Sequence, residues 1–143
     1  MATILVVSDV EALRREVGAA LAGPDLEVVE AASGPEAVER VREGDVDLVV
    51  TDMQVANMGG IAITHELRNL ESYGAIDSVP VLVLVDRRPD VFLARRATAD
   101  GFVVKPLDPL VLRRAARALL AGEAFEDDAW RPATVRAGSA LDE

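Results

Sequence analysis

The sequence predicts a doubly wound α/β fold, in which a five-stranded parallel sheet is covered by helices on both faces. Short apolar segments alternate along the chain with segments of helical period. The apolar segments contain few polar residues, which is typical of parallel strands that are buried on both faces. A length of 143 residues with 50% hydrophobic residues suits one globular domain with a single core.

The strands are predicted from short runs of apolar and β-branched residues that end at charged or turn-forming residues. The first run ends before Ser8, and the third ends directly before Asp52. The predicted strands span residues 3–7, 26–31, 47–51, 79–85 and 101–104.

The helices are predicted from apolar residues spaced three and four positions apart. The second helix has a clear start, because Ser33 and Glu36 have the spacing of a capping box and Pro35 lies in the first turn. Asp108 is expected to cap the last helix. The predicted helices span residues 10–22, 34–43, 61–70, 89–98 and 109–120.

The end of the chain differs in composition from the rest. Residues 123–143 contain Glu, Asp, Arg, Gly, Ser and Pro without a sustained period, so they are predicted to form an acidic flexible tail after a domain of residues 1–122. The apolar runs are too short to span a membrane, and the chain does not begin with a signal-type segment. We therefore expect a cytoplasmic protein without a membrane partner.

Composition excludes several kinds of chemistry. Without cysteine, and with His65 as the only histidine, the chain cannot form a disulfide framework or a histidine cluster, so a metal would be bound by oxygen. The net charge of −10 argues against direct binding of nucleic acid. Residues 86–118 nevertheless hold eight basic and four acidic residues, whereas residues 123–143 hold six acidic and two basic ones. A contact between these two segments is one hypothesis.

Residues capable of chemistry follow three of the predicted strands. Asp9, Asp52 and Lys105 follow the first, third and fifth, and Lys105 is the only lysine beside 14 arginines. Doubly wound sheets place their sites at the carboxyl ends of the strands. Two carboxylates that lie close together repel each other, which raises a proton affinity unless a cation such as Mg²⁺ lies between them. A lysine opposite them could help to hold a phosphoryl group. The alternatives are a helix N-cap for Asp9 and a solvated loop charge for Asp52.

These segments resemble the receiver domain of bacterial response regulators in two-component signalling. The resemblance covers residues 3–122 and rests on ILVVSDVE, LVVTDMQVANMGGI and GFVVKPLDP. It implies a flavodoxin-like strand order of 2-1-3-4-5. It also implies that Asp52 accepts a phosphoryl group from a histidine kinase or phosphotransfer protein. Asp9, Asp52 and the backbone carbonyl of Gln54 would bind Mg²⁺.

The resemblance assigns further roles near the fifth strand. Lys105 would pair with a phosphoryl oxygen, Pro106 would follow a cis peptide bond, and Phe102 would occupy the position of a switching aromatic residue. Self-phosphorylation and autodephosphorylation at Asp52 would be the only catalysis. A downstream protein, or a second copy of the chain, would contact the face formed by the fourth helix, fifth strand and fifth helix.

Four residues depart from the family pattern. Ser8 replaces an acid that helps to hold the metal, and Val85 replaces a Thr or Ser that hydrogen-bonds the phosphoryl group. Ala56 and Gly59 replace a Pro and an Asp in the loop after Asp52. Losing a hydroxyl bond to a charged phosphoryl group costs roughly 1.5 to 3 kcal/mol. The departures therefore predict a weakened metal site and a weakened switch.

Two hypotheses of different class follow. The first is a single-domain receiver in a phosphorelay that is phosphorylated on Asp52 and signals by protein contacts through a weakened switch. The second is a phosphorylation-independent pseudo-receiver that acts as a protein-interaction module. Asp9, Asp52 and Lys105 favour the first hypothesis, whereas Ser8 and Val85 favour the second. An unrelated flavodoxin-like ligand binder is disfavoured, because no glycine-rich phosphate loop follows the first strand.

Overall fold

The computed structural model describes residues 1–55 and 57–128. Strands and helices alternate in this part of the chain, as the sequence predicts. The strands are β1 Ala2–Val7, β2 Leu26–Ala31, β3 Leu48–Asp52, β4 Val81–Val85, β5 Gly101–Val104 and β6 Phe125–Glu126. The helices are α1 Glu11–Leu21, α2 Gly34–Arg42, α3 Gly60–Ser72, α4 Arg88–Arg96 and α5 Pro109–Leu120.

The six strands form one parallel sheet in the order β2-β1-β3-β4-β5-β6. This confirms the predicted order of the first five strands. In the register, Asp52 pairs with Leu84, and Val85 pairs with Val104. The carboxyl ends of the central strands therefore lie together along one edge of the sheet.

Each face of the sheet carries its own hydrophobic core. Leu5 and Val7 belong to a cluster with residues of α2, α3 and α4, whereas Ile4 and Val6 belong to a cluster with residues of α1 and α5. Every residue of β3 and β4 is buried. This arrangement confirms the prediction of strands covered on both faces. Within residues 1–55 and 57–128, no helix has the length and apolar character needed to cross a membrane.

The sixth strand differs from the prediction. Phe125 and Glu126 pair in parallel with Gly101 and Phe102, so the beginning of the predicted tail extends the sheet beyond β5. A strand of two residues is too short to produce a periodic pattern, and no sequence signal therefore indicates it. The rest of the predicted tail, residues 129–143, lies outside the described residues.

Polar contacts attach this segment to β5 and α4. The backbone N–H of Asp127 donates to the carbonyl of Phe102 at 3.2 Å, and the buried Asp127 carboxylate accepts from the N–H of Val104 at 2.9 Å. Glu126 accepts two hydrogen bonds from Arg95, at 2.6 and 3.0 Å. This ion pair joins the basic segment 86–118 to the acidic segment 123–143, a contact that the uneven charge distribution suggested.

Replacing Gly101 with Ala is expected to displace β6. A Cβ atom at this position would lie 2.5 Å from the carbonyl oxygen of Phe125, so one of the two strands must move. Hydrogen exchange of the Asp127 amide should accelerate by about tenfold or more, because its partner on β5 is lost. Gly18→Ala is the control, since its Cβ would make an ordinary 3.6 Å contact with Val28. Unchanged exchange in Gly101→Ala would contradict the docking of β6 on β5.

Candidate functional site

Asp52 and Lys105 meet at the carboxyl edge of the sheet. Asp52 is the last residue of β3 and is only 4% exposed, and Lys105 directly follows β5. The Lys105 Nζ atom lies 2.8 Å from the Asp52 Oδ1 atom. The peptide bond between Lys105 and Pro106 is cis, as the family resemblance implied. Two of the three residues expected at the strand ends are therefore in direct contact.

Lys105 has a second carboxylate partner that the sequence analysis did not select. Asp86 directly follows β4, and its Oδ1 atom lies 3.0 Å from the Lys105 Nζ atom. The strand-end argument that selected Asp9 and Asp52 applies equally to Asp86, so a signal was present in the sequence. One ammonium group is thus shared by two carboxylates from neighbouring strands.

Lys105 is a fixed positive charge. Burial alone would lower the pKa of its ammonium group, but hydrogen bonds and charge attraction from Asp52 and Asp86 outweigh this effect. The net result is a pKa raised above the ordinary value of 10.5. Lys105 therefore stays protonated at neutral pH and can bind an anion at the end of β3.

Ser8 contacts the other oxygen of Asp52. The buried Ser8 hydroxyl donates to Asp52 Oδ2 at 3.3 Å and accepts from the backbone N–H of Val10 at 3.1 Å. A neutral hydroxyl therefore occupies the place beside Asp52 where the family pattern has an acid. The substitution removes one negative charge from the site and adds a hydrogen-bond donor.

Asp9 lies at the same end of the sheet, in the turn after β1. Its side chain is exposed, and the N-cap of α1 is Val10. The alternative role of Asp9 as a helix N-cap is therefore wrong. Arg14 supports this turn, because its guanidinium donates to the Ser8 carbonyl at 2.6 Å and pairs with Glu30 at 2.8 Å. Arg14 lacked any strand-end or motif signal, and the sequence analysis missed it.

The loop after Asp52 returns closely against the end of β3. The backbone N–H of Gly60 donates to the carbonyl of Met53 at 3.0 Å. A Cβ atom added at Gly60 would lie 2.5 Å from the carbonyl oxygen of Asp52, and one added at Gly59 would lie 2.9 Å from the carbonyl oxygen of Met53. Gly59, one of the four departures from the family pattern, therefore lies where the loop backbone passes close to the end of β3 and a side chain would disturb the packing. Gln54 in this loop is exposed, and Ala56 lies outside the described residues.

Val85 and Phe102 both lie in the hydrophobic core. Val85 is fully buried, and Phe102 is 2% exposed. Both belong to the cluster beneath α2, α3 and α4. The Arg95 guanidinium lies 5.8 Å from the centroid of the Phe102 ring. The aromatic ring is therefore already inside the protein, and the side chain that ends β4 is an aliphatic group without a hydrogen-bonding atom.

The residues expected to bind Mg²⁺ carry oxygen donors, which this ion prefers. Asp9 and Asp52 have carboxylates and Gln54 has a backbone carbonyl, and Mg²⁺ commonly binds one or two carboxylates and keeps several waters. In the part of the chain that the structure describes, no three His, Cys, Asp or Glu side chains form a metal-binding group. The residues expected to bind Mg²⁺ therefore match it in the chemistry of their oxygen atoms, with two carboxylates among them.

The family model for the response regulator receiver domain matches residues 4–117. The chain belongs to this family. Receiver domains generally bind Mg²⁺ at the phosphorylation site, and they interact with histidine kinases and downstream effectors. These properties belong to two-component signal transduction, which the sequence analysis predicted.

Similar proteins and structures agree with this assignment. The receiver is 35% identical to an uncharacterised response regulatory protein of Mycobacterium tuberculosis, with 82% of this chain and 90% of that protein covered. It is 32% identical to the nitrate/nitrite response regulator NarL of Escherichia coli, with 99% and 67% covered. A LuxR-family response regulator from Aurantimonas matches with a TM-score of 0.76 and 28% identity, covering 100% of this chain and 99% of that one.

Proposed function

We propose that this receiver accepts a phosphoryl group on Asp52 and signals through protein contacts with a weakened switch. The observation that carries this proposal is the buried Asp52 carboxylate beside Lys105, with 2.8 Å between Oδ1 and Nζ. A carboxylate nucleophile and a fixed cation are two of the groups that a phosphoryl transfer uses.

The transfer would proceed by attack of an Asp52 carboxylate oxygen on the phosphorus of the donor. A new phosphorus–oxygen bond forms as the bond to the donor's leaving group breaks, and this leaving group is the imidazole nitrogen when the donor is a phosphohistidine. Lys105 would stabilise the charge on the phosphoryl oxygens. Attack of water on phosphorus would later release inorganic phosphate and restore the carboxylate.

Asp9, Asp52 and the Gln54 carbonyl would hold Mg²⁺. When bound, this ion supplies positive charge that reduces repulsion between the carboxylates and the incoming phosphoryl group. Ser8 contributes no charge to this set, so the attraction for a divalent cation is weaker by about 1 to 3 kcal/mol than with an acid at this position.

The switch is weak in this proposal for two reasons. Val85 has no hydroxyl to bind a phosphoryl oxygen, and the Phe102 ring is already buried in this structure. The phosphoryl group then makes similar contacts in the two conformations of the switch, so it shifts the equilibrium between them only slightly.

The face formed by α4, β5 and α5 would bind the downstream protein or a second copy of the chain. In this receiver, β6 lies along the edge of β5, and Glu126 pairs with Arg95 on α4. A partner on this face would therefore either contact residues 123–128 or displace them.

Intact-mass analysis after incubation with Mg²⁺ and acetyl phosphate tests the proposed function. We expect one phosphoryl adduct on the wild type and none on Asp52→Asn, because an amide oxygen is a poor nucleophile. Asp77→Asn, an exposed acid in another loop, is the control and should be phosphorylated like the wild type. An adduct on Asp52→Asn, or none on the wild type, would contradict phosphorylation of Asp52.

A phosphorylation-independent interaction module is the second candidate. It is favoured by the contacts of Asp52, because Lys105 and Ser8 already satisfy its two oxygens with hydrogen bonds. If no adduct forms on the wild type, this second candidate is favoured, in which a protein with the receiver fold binds its partner constitutively.

A further inference from the structure

Lys105 is placed between two carboxylates that differ in their exposure. The Asp52 side chain is 6% exposed and lies 2.8 Å from the lysine nitrogen, whereas the Asp86 side chain is 40% exposed and lies 3.0 Å away. Asp86 is close enough to hydrogen-bond the ammonium group, yet it lies on the solvent side of the site. An anion that binds Lys105 near Asp52 must therefore share this ammonium with Asp86.

We propose that Asp86 competes for Lys105 with a phosphoryl group on Asp52, and that it thereby limits the phosphorylated fraction of the protein. This inference rests on the proposed function. Asp86 would act only through Lys105 and would not touch the reacting atoms.

The charges around Lys105 give the physical reason. Before phosphorylation, the two carboxylates Asp52 and Asp86 share one positive charge. A phosphoryl group carries about −1.5 to −2 charges near pH 7, so phosphorylation adds negative charge close to the same lysine. The Asp86 carboxylate repels this added charge and retains one of the N–H donors of the lysine.

Solvent reduces the strength of this competition without removing it. Asp86 is partly exposed, so its interactions are screened more than those of the buried Asp52. We therefore expect an effect of about three- to tenfold on the ratio of phosphorylated to unphosphorylated protein, and a smaller effect at high salt.

The opposite role for Asp86 makes an opposite prediction. If Asp86 mainly held Lys105 in place for catalysis, its removal would loosen the lysine and reduce phosphorylation. If Asp86 competes with the phosphoryl group, its removal increases phosphorylation. The direction of the change in Asp86→Asn therefore decides between these roles.

The experiment compares full-length wild type, Asp86→Asn, Asp86→Glu and the control Asp77→Asn. Each protein is incubated with Mg²⁺ and acetyl phosphate, and the steady-state adduct is measured by intact mass. We expect Asp86→Asn to raise the phosphorylated ratio by about three- to tenfold. Asp86→Glu, which keeps a carboxylate, should remain closer to the wild type, and Asp77→Asn should equal it.

The same proteins allow a direct test of the contact. Because Lys105 is the only lysine, ¹³C-lysine labelling yields the Cε signal of this one side chain. At neutral pH, and without a phosphoryl donor, Asp86→Asn should shift this signal and increase the mobility that its relaxation reports. Asp77→Asn should leave both unchanged. A lysine signal unaffected by Asp86→Asn would overturn the proposed pair.

The phosphorylation data separate failure of this inference from failure of the proposed function. Equal or lower adduct levels in Asp86→Asn, with a clear adduct on the wild type, would overturn the competition and leave phosphorylation of Asp52 standing. The absence of an adduct from every variant would overturn both.

Discussion

Replacing Lys105 with Met is expected to lower the free energy of unfolding by about 2 to 3 kcal/mol, because the Asp52 carboxylate would remain buried without its cation. The Ser8 hydroxyl at 3.3 Å would be the remaining described hydrogen-bond donor to its side chain. The rate of phosphoryl-adduct formation should also fall, by about 100-fold, since the positive charge aimed at the phosphoryl oxygens is lost. Urea denaturation and time-resolved intact-mass analysis measure the two effects.

A double-mutant cycle separates the interaction between Asp52 and Lys105 from the contacts that each makes with other residues. Adding Asp52→Asn to Lys105→Met removes the uncompensated charge, so the double variant should be more stable than Lys105→Met alone. Arg114→Met, which removes an exposed cation from α5, should change stability by less than about 0.5 kcal/mol. Equal stabilities of Lys105→Met and the wild type would show that the pair contributes nothing to the fold.

Replacing Val85 with Thr is expected to strengthen the response to phosphorylation. The new hydroxyl at the end of β4 could hydrogen-bond a phosphoryl oxygen on Asp52, which is worth roughly 1.5 to 3 kcal/mol, or about ten- to a hundredfold in the switching equilibrium. Before phosphorylation, the same hydroxyl is buried in the core and should destabilise the protein by about 1 to 3 kcal/mol. Backbone amide spectra with and without acetyl phosphate measure the response, and urea denaturation measures the cost.

Val83→Thr is the matched control for this prediction. Val83 lies two residues earlier on β4, is equally buried and pairs with Phe102 in the register. It should show the same loss of stability without a stronger response, because its hydroxyl lies farther from the end of the strand. If the two variants responded alike to phosphorylation, a specific contact from position 85 would be excluded.

Local features of the fold could be predicted from the sequence because they depend on neighbouring residues. The predicted cap of α2 is confirmed, since Ser33 Oγ accepts from the N–H of Glu36. The Glu36 carboxylate accepts from the N–H of Ala32, one residue before the N–H of Ser33 that a full capping box uses. Asp108 caps α5 by accepting from the N–H of Leu110. Such contacts span two to four residues, so spacing alone determines them.

The features that could not be predicted depend on distances between side chains of neighbouring strands, which the predicted strand order does not give, and on the open edge of β5. β6 forms because β5 offers an open edge and Gly101 leaves room for the backbone of Phe125. Asp86 meets Lys105 because β4 and β5 are adjacent and in register. The sequence places Asp86 and Lys105 at strand ends, but it does not give the distance between their side chains. The hydrogen bond from Ser8 to Asp52 likewise requires the pairing of β1 with β3.

In the proposed function, Asp52 is phosphorylated and the signal reaches the face of α4, β5 and α5 only weakly. The most direct measurement records backbone amide spectra and the intact mass of one sample before and after addition of acetyl phosphate with Mg²⁺. We expect one phosphoryl adduct, with large amide shifts near Ser8, Asp52 and Lys105 and small shifts in α4 and β6. No adduct, or equally large shifts throughout α4, β5 and β6, would contradict it.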